Sequence, residues 1–528
     1  MNKPNALDDA ISTSRIFRVS ERINRASEIA LANSLTGRAL TALGRVASGS
    51  AVGRLFTKPT EYRRLLSGSL LATFLTTIFA ALRSPAERAS AYLSAKTARP
   101  REIWAGSRFG DYSRFLFRYE VGVVFLALFI PVELFLFDYI PKTTKYSVEL
   151  VLLLMTGALF LSAIAKRREL RATELELPVL AFVVIACVSA LANGVPLLIA
   201  LAGVRALLQF YLLYFVVVQA EFDRAKLRKF VLGLLGFALL LTLFGLGQKF
   251  AGLKTPTMVD IRETTIGGRI VSTLANPNNF GGFLLFFVPM AVALLIERTD
   301  AWVRVFAGAA SLLMMVALIF TYSRGAWLGL GAAFIVLAVL LDKRIVLGIA
   351  VALAAVFLFV PSVIDRLSFA LSSGYIKSSA EAGRLLYWAK AIQIMETNPL
   401  FGVGPGRFGG AVAAIFGTPA NALVGMAPNY QLWVDSQVFQ IMGELGLLGI
   451  AAYFWVAVTF ARNAIAFAKS ELDPFWRAYS IGAVAAIVGI MVQGVFVGVW
   501  ETQQLAAFFW LTTAIVMSLA VRKALPKA

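Results

Sequence analysis

From residue 119 onward the chain is one apolar run after another, broken by short polar stretches. Twelve runs approach the roughly 17 to 25 residues a helix needs to cross a bilayer: 119–138, 147–165, 177–193, 197–219, 230–250, 280–297, 303–320, 326–341, 345–360, 437–460, 478–499 and 502–521. One interruption is long, the 76 residues 361–436, which hold a dense cluster of ionisable, aromatic and turn residues. Within it Leu385, Trp388, Ala389 and Ile392 fall at helical spacing and predict an amphipathic helix over 382–395. The expected fold is all-α and polytopic, with about 12 transmembrane helices and this loop between the ninth and tenth.

Charge orients the bundle. With the N-terminus inside, the inner loops and their flanks carry 18 Lys/Arg and the much longer outer loops 11, which obeys the positive-inside rule. Both termini are then cytoplasmic and 361–436 faces outward. Region 1–118 differs in kind, with 19 Lys/Arg and amphipathic spacing. Its one apolar run, 65–82, is flanked by basic residues and reads as an inner-leaflet or re-entrant helix rather than a thirteenth span. The expected organisation is 1–118 basic and amphipathic, 119–360 the first nine spans, 361–436 the outer loop, and 437–528 the last three spans with a short tail. The N-terminus shows no early apolar core or small-residue cleavage site, so insertion is expected from internal segments.

Composition narrows the chemistry. The hydrophobic share is 59%, the charged share 15% and the mean hydropathy +0.76, which fits a membrane protein. The net charge of +20 then belongs to the lipid surface, and a nucleic-acid partner is not expected. Histidine is absent and Cys187 is the single cysteine, so the imidazole base and thiolate metal sites are excluded. No Asp-x-Asp pair and no phosphate loop ending in Gly-Lys-Ser/Thr occurs, which argues against nucleotide binding. No cofactor is expected.

Four arginines from separate segments map to the outer third: Arg205 inside the fourth run, Arg269 ahead of Asn276-Pro277-Asn278, Arg324 in Thr321-Tyr322-Ser323-Arg324, and Arg384 at the head of the amphipathic helix. A cation within a span costs about 2.5–3.5 kcal/mol on insertion scales, so Arg205 should face the bundle interior or a wet cavity. Arginine suits multidentate binding of phosphate, which makes a diphosphate the natural ligand, although a carboxylate or sulfate would satisfy the same groups. Arg407 is a fifth candidate from the loop. The acidic candidates are Asp435 and Glu444; nine residues apart, they fall on nearly opposite faces of a straight helix. Asp435 could instead cap that helix, and Glu444 could be a buried partner of Arg205. In Asn276-Pro277-Asn278-Asn279, Asn278 or Asn279 is the expected cap, with Pro277 in the turn.

These segments resemble the O-antigen ligase and polymerase family of bacterial surface-polysaccharide assembly. The likeness rests on Arg269 with Asn276-Pro277-Asn278, on Tyr322 to Trp327, on Arg384 to Trp388 with Asn398 to Gly406, and on Asp435-Ser436 with Gly443 to Gly449, and spans roughly 120–520. The resemblance implies an inverting, metal-independent glycosyl transfer from an undecaprenyl diphosphate-linked oligosaccharide to a glycan acceptor, at the periplasmic face of the inner membrane. It implies Arg205, Arg269, Arg324, Arg384 and Arg407 on the diphosphate, and Asp435, Glu444 and Arg324 in catalysis. The lipopolysaccharide ligases carry a histidine where this chain has Asp435-Ser436, which favours a polymerase or another acceptor. Polysaccharide-assembly proteins are expected partners besides the lipid bilayer. The alternatives are a small-anion transporter, which should show charges toward both leaflets and matching halves that are not seen here, and a non-catalytic scaffold docking through 1–118.

Overall fold

The computed structural model describes residues 119–136, 139, 146–164, 170–220, 222–255, 268–345, 348, 364, 368–369, 372–418, 420–426 and 433–524. The chain divides into two units, 1–84 and 85–528, and all described residues lie in the second. The expectations for 1–118, including the helix at 65–82, and for the ninth run at 345–360 fall outside them, apart from residues 345 and 348.

The described residues are helical, with no strand among them. In order they form α1 (Tyr119–Phe129), α2 (Glu133–Leu136), α3 (Ser147–Ile164), α4 (Glu176–Ala192), α5 (Leu197–Leu208), α6 (Tyr211–Gln219), α7 (Arg224–Phe250), α8 (Pro277–Ile296), α9 (Ala301–Phe320) and α10 (Arg324–Leu340). The loop region contributes α11 (Ser373–Ala382), α12 (Arg384–Thr397), α13 (Ala411–Phe416) and α14 (Ala420–Leu423), and the chain returns through α15 (Gln437–Ser470), α16 (Pro474–Gln493) and α17 (Gln503–Ala524).

Six of these, α7, α8, α9, α15, α16 and α17, are long and apolar enough to cross a membrane alone. The run 197–219, expected as one helix, is bent by 53° between α5 and α6 and makes a seventh span only if the two halves count together. α1, α3, α4 and α10 are apolar but shorter. The first run is likewise broken, at 130–132 around Pro131, because proline has no N–H for the helix ladder and clashes with the preceding turn.

The bundle core lies where α8, α16 and α17 meet, each with more than four-fifths of its span enclosed. Small residues set the closest approach. A Cβ on Gly329 of α10 would stand 2.5 Å from the Gly489 carbonyl oxygen of α16, so the two backbones touch, the packing a bilayer favours because lipid leaves no hydrophobic force between helices.

One end of the bundle carries the α8 start, the α9–α10 hairpin and the 372–436 region; this is the end that charge predicts to be outward. α8 begins with Asn276 as its cap, accepting from the N–H groups of Asn278 and Asn279, and Pro277 as its first residue. The expected cap at 278 or 279 is thus two or three residues too late, because proline fits the first helical position, where no N–H is needed. Asn276→Ala should cost about 1 kcal/mol, read as a lower melting temperature than wild type in the same detergent.

The loop region has its own small core, built from Ala391, Ile394, Val403, Phe408, Val424 and Val434. The amphipathic helix exists as α12, but its buried face is Ala391 and Ile394, with Tyr387 and Trp388 packed beside it. Of the residues at helical spacing, Leu385, Ala389 and Ile392 are exposed and Trp388 is half-buried. Helical spacing finds an apolar stripe; the neighbours supplied by Phe408 and Val434 decide which of two stripes is covered.

Candidate active site at the loop-bearing end

Arg269 is buried and committed to protein. Its Nε donates to the Thr321 carbonyl at 2.8 Å and its Nη2 to Asn278 Oδ1 at 2.9 Å, tying the 268–276 segment to the α9–α10 hairpin and to α8. Gln248 of α7 clamps the same segment, its Oε1 accepting from Val271 and Ser272 N–H and its Nε2 donating to the Ser272 carbonyl. Thr273 Oγ1 donates to the Pro131 carbonyl at the α1–α2 break.

Arg324 is the first residue of α10, where the helix dipole favours an anion. Its Nη2 donates to the Tyr375 hydroxyl of α11 at 2.7 Å, and the guanidinium lies 4.7 Å from the centre of the Tyr375 ring. Arg384 is the first residue of α12, and its Nη2 reaches Asp435 Oδ2 at 3.4 Å. The two are bridged by aromatics: Phe496 packs against Gly325, Trp388 lies 5.7 Å from Phe496, and Trp388 stacks on Phe439 at 4.7 Å.

Asp435 is not the helix cap. Ser436 is, with its Oγ accepting from Phe439 N–H, which leaves Asp435 one residue outside α15 to face Arg384. Its carboxyl is raised above the ordinary value because its surroundings desolvate it, an effect that Arg384 opposes. Among the described residues, four non-glycine residues have left-handed backbone, Ser272, Ala275, Tyr322 and Asp435, with φ between 48° and 58°. All four flank the arginine segments, where strained backbone gathers when a site must hold a fixed shape.

Glu444 turns elsewhere. Fully buried, it accepts from Phe408 N–H at 3.4 Å and is bonded to Gln440. Here α15 is broken: Gly446 has φ 63° and ψ −159°, and the strap 399–408 fills the break. Val403 and Gly404 N–H donate to the Gly443 and Glu444 carbonyls at 3.0 and 2.9 Å, and Leu447 N–H donates to the Pro399 carbonyl at 2.9 Å. α4 ties down the strap's other side through Ser189 Oγ and Asn193 Nδ2 to the Phe401 and Gly402 carbonyls.

Arg205 pairs with Glu149 of α3 at 2.9 Å, not with Glu444, and 60% of its side chain is exposed. The bend after α5 and the approach of Gly203 to Gly406 accompany this outward placement. The Arg407 guanidinium is partly enclosed, and burial lowers its pKa. Arg384 and Asp435 thus meet directly, Arg324 is linked to them through Phe496 and Trp388, and Arg269 and Glu444 are bonded into the surrounding backbone.

Sequence reasoning missed three groups. Tyr375 covers Arg324. Glu501, between α16 and α17, accepts from Ala411 N–H at 2.7 Å and shares Gln440 with Glu444; burial raises its pKa. Glu149 is the third. A carboxylate at the outer boundary of an apolar run is a legible signal for Glu149 and Glu501; nothing in the chain marks Tyr375.

Residues 309–454 match the family model described as O-antigen ligase, 146 of the 528 residues and a narrower stretch than the resemblance above covers. No curated protein matches the chain. The matched segment contains Arg324, Arg384, Arg407, Asp435 and Glu444; Arg205 and Arg269 lie outside it. The match supports the O-antigen ligase family, and with it a multi-pass membrane protein with a glycosyltransferase-like role in polysaccharide assembly.

Proposed function

With residues 309–454 carrying an O-antigen ligase match as the premise, we propose that this end of the bundle transfers a glycan from an undecaprenyl diphosphate donor to an acceptor sugar hydroxyl, as a polymerase or a transferase to another glycan, at the periplasmic face of the inner membrane. The observation that supports it most is two arginines, each the first residue of a helix, linked through Phe496 and Trp388, with the Asp435 carboxylate beside Arg384. A helix N-terminus and a guanidinium fork both favour phosphate.

Arg324 and Arg384 hold the diphosphate and meet the charge that grows as it leaves. The diphosphate displaces Tyr375 from Arg324 and Asp435 from Arg384; the second contact is already long at 3.4 Å. Freed, Asp435 takes the proton of the acceptor hydroxyl as that oxygen attacks the anomeric carbon from the face opposite the leaving group. The glycosidic C–O bond to phosphate breaks, the diphosphate departs as an anion, and the anomeric configuration inverts. A raised carboxyl pKa makes Asp435 a stronger base than an ordinary aspartate.

The sign of the pH dependence follows. Asp435 works ionised, so the rate falls as pH drops through its raised pKa and levels off above it. Asp435→Asn should lower transfer about 10²-fold or more and remove that acid limb. A wild-type rate and profile in Asp435→Asn, with purified lipid-linked substrate, would remove Asp435 from this role.

A further inference from the structure

The apolar pattern leaves two residues, Trp500 and Glu501, between the last two spans. In the structure α16 ends at Gln493 and α17 begins at Gln503, so nine residues, 494–502, form the connection. It lies outside the segment matched to the O-antigen ligase family, yet it touches each element that carries Arg324, Arg384 or Asp435.

Asp435 is supported by this connection on both sides. After it, Gln437 N–H donates to the Gly494 and Val497 carbonyls at 2.8 and 3.1 Å, and Gln437 Oε1 accepts from Trp500 N–H at 2.7 Å. Before it, Val434 N–H donates to the Gly409 carbonyl at 3.0 Å, and the residues that follow Gly409 are seated on Glu501. Ala411 N–H donates to Glu501 Oε1 at 2.7 Å, and a Cβ on Gly410 would stand 2.6 Å from the same oxygen. An aspartate keeps a φ of 48° only where its neighbours fix it.

The same connection spaces the arginines. A Cβ on Gly325, the residue after Arg324, would stand 3.0 Å from Phe496 Cβ, and the Phe496 ring lies 5.7 Å from Trp388, about one helical turn after Arg384. One short segment therefore sets the two arginines and the carboxylate in relation to each other.

We propose that the 494–502 connection is the positioning element of the transfer site, Phe496 setting the spacing of Arg324 and Arg384 and Glu501 setting Asp435, which rests on the glycosyl transfer proposed above. Neither residue needs to touch the reacting atoms, because a shift of about 1 Å in a catalytic group costs up to about 10²-fold. Loss of Phe496 is then read in donor binding and loss of Glu501 in turnover.

The test separates the two steps in full-length protein. Phe496→Ala should weaken the affinity for undecaprenyl diphosphate about tenfold or more, whereas Glu501→Ala should leave it within about twofold of wild type. Phe496→Leu, a milder change, should weaken it by a smaller factor. With lipid-linked oligosaccharide purified from the host membrane, Glu501→Ala should lower kcat about tenfold or more at an unchanged KM. Glu501→Gln should restore most of that loss, because its amide oxygen still accepts from Ala411 N–H. Asp435→Asn is assayed alongside. If Asp435→Asn is slow while Glu501→Ala keeps the wild-type kcat, the positioning role falls and glycosyl transfer stands. Glu501→Gln as slow as Glu501→Ala, or wild-type affinity in both Phe496 variants, would overturn it as well. A wild-type rate in Asp435→Asn would instead overturn the transfer chemistry on which it rests.

Discussion

Arg324→Ala is expected to lose long-chain polysaccharide and accumulate lipid-linked units while protein level in the membrane stays normal. Removing a donor that meets developing charge costs about 10²–10³-fold in rate. Arg324 offers that donor at the first turn of α10, where the helix adds its own dipole. Lysine should not rescue it. An ammonium keeps the charge but not the planar fork that binds two phosphate oxygens at once. Arg384→Ala should show the same accumulation. Tyr375→Phe separates binding from folding, because it keeps the ring under Arg324 and removes only the 2.7 Å hydrogen bond. Full-length polymer in both arginine variants would end the glycosyl-transfer reading.

Gly446→Ala should be the most damaging small substitution in the bundle. The residue sits at φ 63° and ψ −159°, a region open to glycine alone, and a Cβ there would stand 2.6 Å from the Leu400 carbonyl carbon. Backbone strain of about 1–3 kcal/mol adds to displacement of the strap. Both fall on the segment that carries Phe408 and, through it, the packing beside Asp435. The comparison is Gly331→Ala on α10, where a Cβ meets nothing within 4 Å and gains about 1 kcal/mol of helix propensity. Melting followed by size-exclusion fluorescence should put Gly446→Ala well below wild type and Gly331→Ala at or above it. Equal melting of Gly446→Ala and wild type would mean that the break is not a fixed joint.

The apolar runs, the polar loop and the candidate arginines were legible because each is written in a short stretch of chain. Directions were less so. Arg205 turns outward to Glu149, and α12 buries Ala391 and Ile394, because the deciding neighbours lie far away in sequence. Caps slipped by one to three residues for a local reason: Pro277 and Ser436 fit the first helical position and the cap better than their neighbours. Hidden altogether was the break at Gly446, since Gly446 stands in a glycine-rich apolar run that reads as ordinary helix. Its meaning depends on Pro399 to Gly404 lying across it.

That crossing is made of main-chain groups, N–H to carbonyl, at Gly443, Glu444, Leu447 and Leu448. A joint of this kind is indifferent to most side chains and sensitive to chain length. The strap from Pro399 to Gly404 can therefore change its exposed side chains and keep its seat on α15, whereas an insertion or deletion of one residue there takes its groups out of register with Gly443, Glu444, Leu447 and Leu448.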